Sequence, residues 1–239
     1  MTLEALLWAV ISGFLPAILW LFFWLKEDEA PEPNRLIFLA FWAGILAIPA
    51  ALVFSSVWMT FVRTFFGLSL STTHIGLMLV VGFAFIEEVS KYAMIKSFIL
   101  WRKEYDEPAD AMIYLIAGAL GFAAIENVLY LIGPYGLGFS DGFTVSNLRF
   151  IGATPLHALS AGILGYFIGG SFFRSTLRKE IALGVGLFFA TLLHALFNIL
   201  ILMREGYDPA PALVLLGTVG ILILFAFERI KHKLYTYYA

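Results

Sequence analysis

HIGLMLVVGFAFIEEVSKYAMIKSFIL, residues 74–100, is an apolar run with two adjacent acids, Glu87 and Glu88, near its middle and Lys91 one helical turn later. A segment of about 20 apolar residues is long enough to cross the hydrocarbon core as a helix. A charged group near the centre of such a helix costs about 2.5–3.5 kcal/mol on insertion scales, so an intramembrane acid marks a functional site by default. The run therefore predicts both a membrane helix and the place to look for chemistry.

The rest of the chain agrees with the first prediction. Of 239 residues, 61% are hydrophobic and 13% are charged, where a soluble domain carries about 25% charged residues. Cysteine is absent, which excludes disulfides, thiolate metal ligands and a cysteine nucleophile. Catalysis must then rest on carboxylates, histidines or hydroxyls. A net charge of −2 lacks the basic stripe that a nucleic-acid partner requires.

Seven apolar stretches read as spans: Leu3–Leu25, Leu36–Val57, Ile75–Trp101, Ala109–Ile132, Leu148–Phe173, Ile181–Met203 and Ala210–Glu228. Short polar breaks separate them, among them the Gly-rich segment Gly133–Gly142. The stretch Trp58–Thr73 fits either an interfacial helix or a continuation of the second span. The first span lacks a basic leading region and a small-residue cleavage site, so it reads as a retained helix rather than a signal peptide. The expected architecture is an all-α, polytopic transmembrane bundle forming one domain over residues 1–239, in the membrane of a prokaryotic cell. Gly118 with Gly121, and Gly165 with Gly169, are spaced to let helix backbones approach closely.

Loop charge sets the expected orientation. With the N-terminus outside, Lys26, Arg35, Arg102, Lys103, Arg174, Arg178, Lys179, Arg229, Lys231 and Lys233 fall in the cytoplasm, and only Arg63, Arg149 and Arg204 fall outside. Seven spans then leave the C-terminus in the cytoplasm.

Setting the loops aside, the polar residues left within the spans are Glu87, Glu88 and Lys91, then Lys96, Glu126 with Asn127, His157, and His194 with Asn198. Residues four apart share a helix face, which predicts a Glu87–Lys91 pair and a common face for His194 and Asn198. Glu88 points about 100° away from Glu87, so one of the two is expected to face a shared cavity. Lys96, near a helix end, suits snorkelling to the interface, and Asn127 suits an interhelical hydrogen bond. At 1.5 Å of rise per residue, His157 and His194 lie about 14 Å from the outer boundary, Glu126 about 9 Å and Glu87 about 18 Å. Four helices can thus bring these groups into one cavity in the outer half of the bilayer. Pro155 is expected to open the helix beside His157.

A carboxylate in an apolar site suits a general base acting on water, and His with Asn four residues on can hold an oxyanion. Such a set is sufficient for amide hydrolysis without a covalent intermediate. The same His and Glu residues are also nitrogen and oxygen ligands for zinc with an open water position. The H-E-x-x-H pattern does not occur.

The order Glu87-Glu88-Val-Ser-Lys91, Phe122-Ala-Ala-Ile-Glu126-Asn127, His157 and His194-Ala-Leu-Phe-Asn198 resembles the motif series of the PrsW family of intramembrane proteases over residues 82–198. The related type II CAAX prenyl endopeptidases and bacteriocin-processing homologues carry E-E-x-x-x-R, F-x-x-x-H and H-x-x-x-N. This chain has Lys91 where their Arg stands one position later, and Glu126 in place of their first His. The resemblance implies a membrane peptidase that makes the first cut in a single-span anti-sigma factor, on the outer side of the lipid bilayer. It further implies that Glu87 or Glu88 activates water, that Glu126 and His157 assist or hold a metal, and that His194 with Asn198 stabilises the oxyanion. Lys91 and Asn127 support them. If a zinc ion is used, the expected ligands are His157, His194 and Glu126.

Three other functions share these residues. A proton- or cation-coupled transporter also needs intramembrane Glu and His, though no matching halves with broken helices occur in this sequence. A CAAX-type prenyl-protein peptidase would work from the cytoplasmic side. A non-catalytic scaffold would use the cluster only to set helix register.

Overall fold

The computed structural model describes residues 2–67, 70–202 and 209–238, with side chains through residue 231. Arg204 and Met203, and the polar break between the last two spans, lie mostly outside the described residues, as does the Lys233 side chain. With no water in the hydrocarbon core, each span must satisfy its own backbone, so the apolar runs become helices. Among the described residues eight α-helices follow in order: α1 (Leu3–Trp24), α2 (Asn34–Phe66), α3 (Thr72–Phe98), α4 (Asp110–Leu137), α5 (Phe139–Ile151), α6 (Ala153–Gly170), α7 (Thr176–Leu202) and α8 (Ala210–Tyr238). No strand occurs among the described residues. Seven of the described segments are long and apolar enough to span a membrane, α5 and α6 together making the fifth. The all-helical, seven-span expectation therefore holds.

Helix starts follow local capping chemistry. Thr2 Oγ1 accepts the Ala5 N–H at 3.2 Å, and Ser71 Oγ accepts the His74 N–H at 3.4 Å, each satisfying an amide that has no helical partner. Trp58–Phe66 continues α2 as one helix rather than lying on the interface. The Trp58 indole, donating to the Met78 carbonyl at 3.1 Å, ties this extension to α3.

Helix α4 is the axis of the bundle. Every residue from Asp110 to Ala124 is buried, with α1, α2 and α6 packed around it. Small residues make that possible. A Cβ at Gly44 of α2 would run into the Gly118 carbonyl, and one at Gly121 would meet the Phe41 backbone. Gly165 of α6 lies equally close to the Met112 backbone. The paired glycines are therefore contact points, as their spacing suggests.

The fifth span departs from expectation in two ways. The Gly133–Gly142 segment is almost wholly helical, since α4 continues to Leu137 and α5 begins at Phe139. The helix breaks at Gly152, not near Pro155. Proline in the first turn of a helix costs no hydrogen bond, because amides there have no helical acceptor. Pro155 occupies the first turn of α6, so it leaves that helix intact. The result is a short helix, α5, packed against α4, α1 and α6, whose last turn carries Arg149 towards the polar residues.

Candidate active site

A cavity of about 680 Å³ is lined by α3, α4, α5, α6, α7 and α8 at the end of the bundle where α3, α6 and α8 begin and α4 and α7 finish. Its walls are mostly apolar, from Val80 and Phe83 of α3 to Ala212 and Leu213 of α8. Glu87, Glu126, Arg149, His157, His194 and Asn198 supply its polar lining.

Glu87 and Glu88 divide as their angular separation suggests: Glu87 lines the cavity, and Glu88 lies behind it, 1% exposed. Oε1 of Glu88 accepts from Lys91 Nζ at 2.7 Å, from Ser160 Oγ at 3.0 Å and from His194 Nδ1 at 2.7 Å. The expected Glu87–Lys91 pair does not form. Residues three apart meet on a helix as readily as residues four apart, and Ser160 and His194 converge on Glu88, so Lys91 completes that network.

The Glu88 carboxylate can only accept, so His194 carries its proton on Nδ1 and presents the Nε2 lone pair to the cavity. Glu87 Oε2 lies 3.6 Å from that nitrogen, is buried and accepts no hydrogen bond. His157 is set the other way. The Lys91 ammonium, 3.2 Å from Nδ1, donates to it, so the His157 proton is on Nε2 and points at Glu126 Oε2, 3.0 Å away. The two imidazoles meet edge to face with centroids 5.1 Å apart.

Glu126 also receives Nη2 of Arg149. Nε of the same guanidinium donates to Asn127 Oδ1 at 2.5 Å, and the group lies 4.1 Å over the Tyr130 ring. Asn127 in turn donates to Thr154 Oγ1 at 2.9 Å. It therefore makes the interhelical bond expected of it, joining α4 to α6. Asn198 lines the cavity one turn beyond His194.

Charge is balanced for two of the three acids, since Glu88 has Lys91 and Glu126 has Arg149. Glu87 is left with a bare oxygen, and a buried ionised carboxylate without compensation is costly. Ligand atoms of Glu87, His157 and His194 all lie within 4.8 Å of one another. Two imidazoles and one carboxylate form an established catalytic zinc set with an open fourth position. The Glu88–His194 hydrogen bond is the outer-shell contact that fixes a ligating tautomer. These residues fit a divalent cation, with one condition: His157 joins only by giving up its Nε2 bond to Glu126. The carboxylate grouped with both histidines is that of Glu87 rather than the expected Glu126, whose Oε2 is engaged by His157 Nε2 and Arg149.

Two members of the site were not anticipated. Arg149 is the second residue of the expected fifth span and reads as a charge at its outer end; the short helix α5, ending before Gly152, carries it to Glu126 and Asn127. Ser160 lies one turn after His157, and that spacing was the available signal.

The sequence profile described as PrsW family intramembrane metalloprotease matches residues 32–227. The chain is similar to proteins named Protease PrsW. That of Geobacillus kaustophilus is 26% identical over 197 residues, covering 82% of this chain and 80% of that protein. That of Oceanobacillus iheyensis is 26% identical over 230 residues, covering 92% and 93%. That of Bacillus subtilis is 26% identical over 219 residues, covering 90% and 94%. No solved structure matches. With a profile spanning most of its length and relatives aligned nearly end to end, the chain belongs to the PrsW family of intramembrane metalloproteases and is a membrane peptidase.

Proposed function

We propose that this protein hydrolyses a peptide bond of a single-span, membrane-anchored protein, of the anti-sigma-factor kind, in the cavity bounded by Glu87, His157 and His194. The observation that carries the metal-dependent form is the bare, buried Oε2 of Glu87 facing the His194 lone pair. Glu87, His157 and His194 hold a divalent cation, and their nitrogen and oxygen donors favour zinc. Such a cation, when bound, polarises the scissile carbonyl and acidifies water.

The chain's own groups do the rest. Glu88 holds His194 in the ligating tautomer, and Lys91 neutralises Glu88. Glu126, at the cavity wall, takes the proton of the attacking water and delivers it to the leaving amine nitrogen. Arg149 holds Glu126 in place, and Asn198 donates to the carbonyl oxygen as negative charge develops there. The apolar walls receive an unwound stretch of the substrate's membrane segment and exclude bulk water.

The loop charges support a cavity in the outer half of a prokaryotic cytoplasmic membrane, with the N-terminus outside and the C-terminus inside. The catalytic unit is residues 82–198 within a single domain.

One observation favours a second reading: the Lys91 ammonium directs the His157 proton onto Nε2, which suits a donor better than a ligand. In that form Glu87 itself activates water. Metal analysis of the purified protein, paired with cleavage of a co-reconstituted single-span substrate with and without chelator, separates the two. Stoichiometric zinc and chelator-sensitive cleavage are expected. Metal-free protein with chelator-resistant cleavage would establish the glutamate form.

A further inference from the structure

A second concave site lies at the opposite end of the bundle, where α3 and α6 finish and α7 begins. It is a cavity of about 560 Å³, and two lysines from separate helices line it, Lys96 in the last turn of α3 and Lys179 in the first turn of α7. Neither lysine forms an ion pair among the described residues. Instead each ammonium lies on an aromatic ring, Lys96 Nζ 5.7 Å from the Tyr92 centroid and Lys179 Nζ 5.8 Å from that of Phe172. Thr176 opens α7 at the cavity wall, and the first-turn amides of a 27-residue helix have no helical acceptor. Glu180 also lines the site, leaving two positive charges against one negative.

Snorkelling accounts for a single lysine at a helix end, which would reach straight into the headgroup layer. It does not account for two exposed lysines of different helices lining one hollow at the N-terminal end of α7, with Leu183 and Ile168 continuing the wall as apolar surface. Cationic side chains at the positive end of a helix dipole recognise a phosphate oxygen, and the apolar continuation suits acyl chains.

We propose that this cavity binds the phosphate of an anionic glycerophospholipid, bridging α3 to α7. Those two helices carry Glu87, Glu88 and His194. Lys96 lies nine residues from Glu87, about 14 Å along the helix, so the lipid holds together the pair of helices that meet again at the catalytic cavity.

The test uses the full-length protein in phosphatidylcholine nanodiscs containing a graded fraction of phosphatidylglycerol. Lipid retained in native mass spectrometry and the thermal midpoint are the readouts, neither of which depends on proteolysis. Phosphatidylglycerol should be retained preferentially and raise the midpoint. Lys96→Gln and Lys179→Gln should each weaken retention about fivefold, while Lys103→Gln, in the neighbouring connection, should not. Glu180→Gln keeps both lysines and removes the opposing charge, so it should strengthen retention by a similar factor. Retention unchanged in the Lys96→Gln/Lys179→Gln protein, or in Glu180→Gln should the double variant not fold, overturns the proposal. Equal stabilisation by inorganic phosphate in pure phosphatidylcholine discs would assign the site to a soluble phosphate and overturn the lipid.

Discussion

Helices α3 and α4 are nearly equal in length, and they bury opposite kinds of residue. From Asp110 to Ala124, α4 buries an unbroken run that is apolar or small except for its first residue. Of the 27 residues of α3, only Ala84, Glu88, Ser90, Lys91 and Ile95 are buried, and three of these are polar. Lipid tails are as apolar as leucine, so hydrophobicity does not hold helices together in a membrane; close packing and polar contacts do. Helix α4 is seated by the first, through glycines that admit neighbouring backbones. Helix α3 owes its rotation to the second, through Glu88 and its three donors. A helix seated by a polar network can present one more acid, Glu87, to a cavity without that acid contributing to packing.

The largest effect should come from striking α4. Gly44→Leu drives a side chain into the Gly118 carbonyl, and with backbone on the far side the contact cannot relax. Overpacking costs about 1–3 kcal/mol where side chains can shift, and more where they cannot. Little folded protein should be recovered in detergent, judged by size-exclusion chromatography. A normal yield would show that α2 and α4 can separate and that small residues do not define the axis.

Next is the network under α3. Lys91→Met leaves Glu88 buried without its ion partner, which should destabilise by about 3–5 kcal/mol. Glu88→Gln combined with Lys91→Met should recover most of that loss, because the amide oxygen can still accept from His194 and no net charge is buried. Thermal melts of the wild type, single and double proteins give the coupling directly. Additive losses would mean that the ion pair does not seat α3.

Glu87→Gln should leave the melting temperature of the metal-free protein nearly unchanged, since Oε2 of Glu87 accepts no hydrogen bond there, while turnover falls by about 10²–10⁴. Full cleavage by this variant would remove Glu87 from the chemistry in both the metal and the glutamate forms. The smallest effect is expected from Arg149→Lys. An ammonium can neutralise Glu126 but cannot also bridge to Asn127 and stack on Tyr130, so activity should fall about 10–100-fold, as outer-shell changes typically cause, with the fold intact.

The polar members of the site were legible because each is expensive where it stands. An acid or histidine within an apolar run has few structural excuses, and five such residues on four helices identify a common cavity. Arg149 was hidden for the same reason in reverse: at the outer end of its expected span a charge costs little, and only the separate helix α5 brings it onto Glu126 and Asn127. Pro155 misled because its effect on a helix depends on position within the helix, and the break at Gly152 made it a first-turn residue.

The seven spans and the identities of the groups between them were determined by the sequence alone, since a long apolar run in a bilayer has no outlet for its backbone polarity except the helix. Which acid would face the cavity was not. Glu87 and Glu88 sit one residue apart, and helical geometry lets Lys91 reach either. Ser160 of α6 and His194 of α7 decided between them by meeting at Glu88. That choice placed Lys91 against His157, turned the His194 lone pair towards the cavity and left Glu87 bare. Contacts across helices more than sixty residues apart in the chain carry that information, and no local spacing contains it.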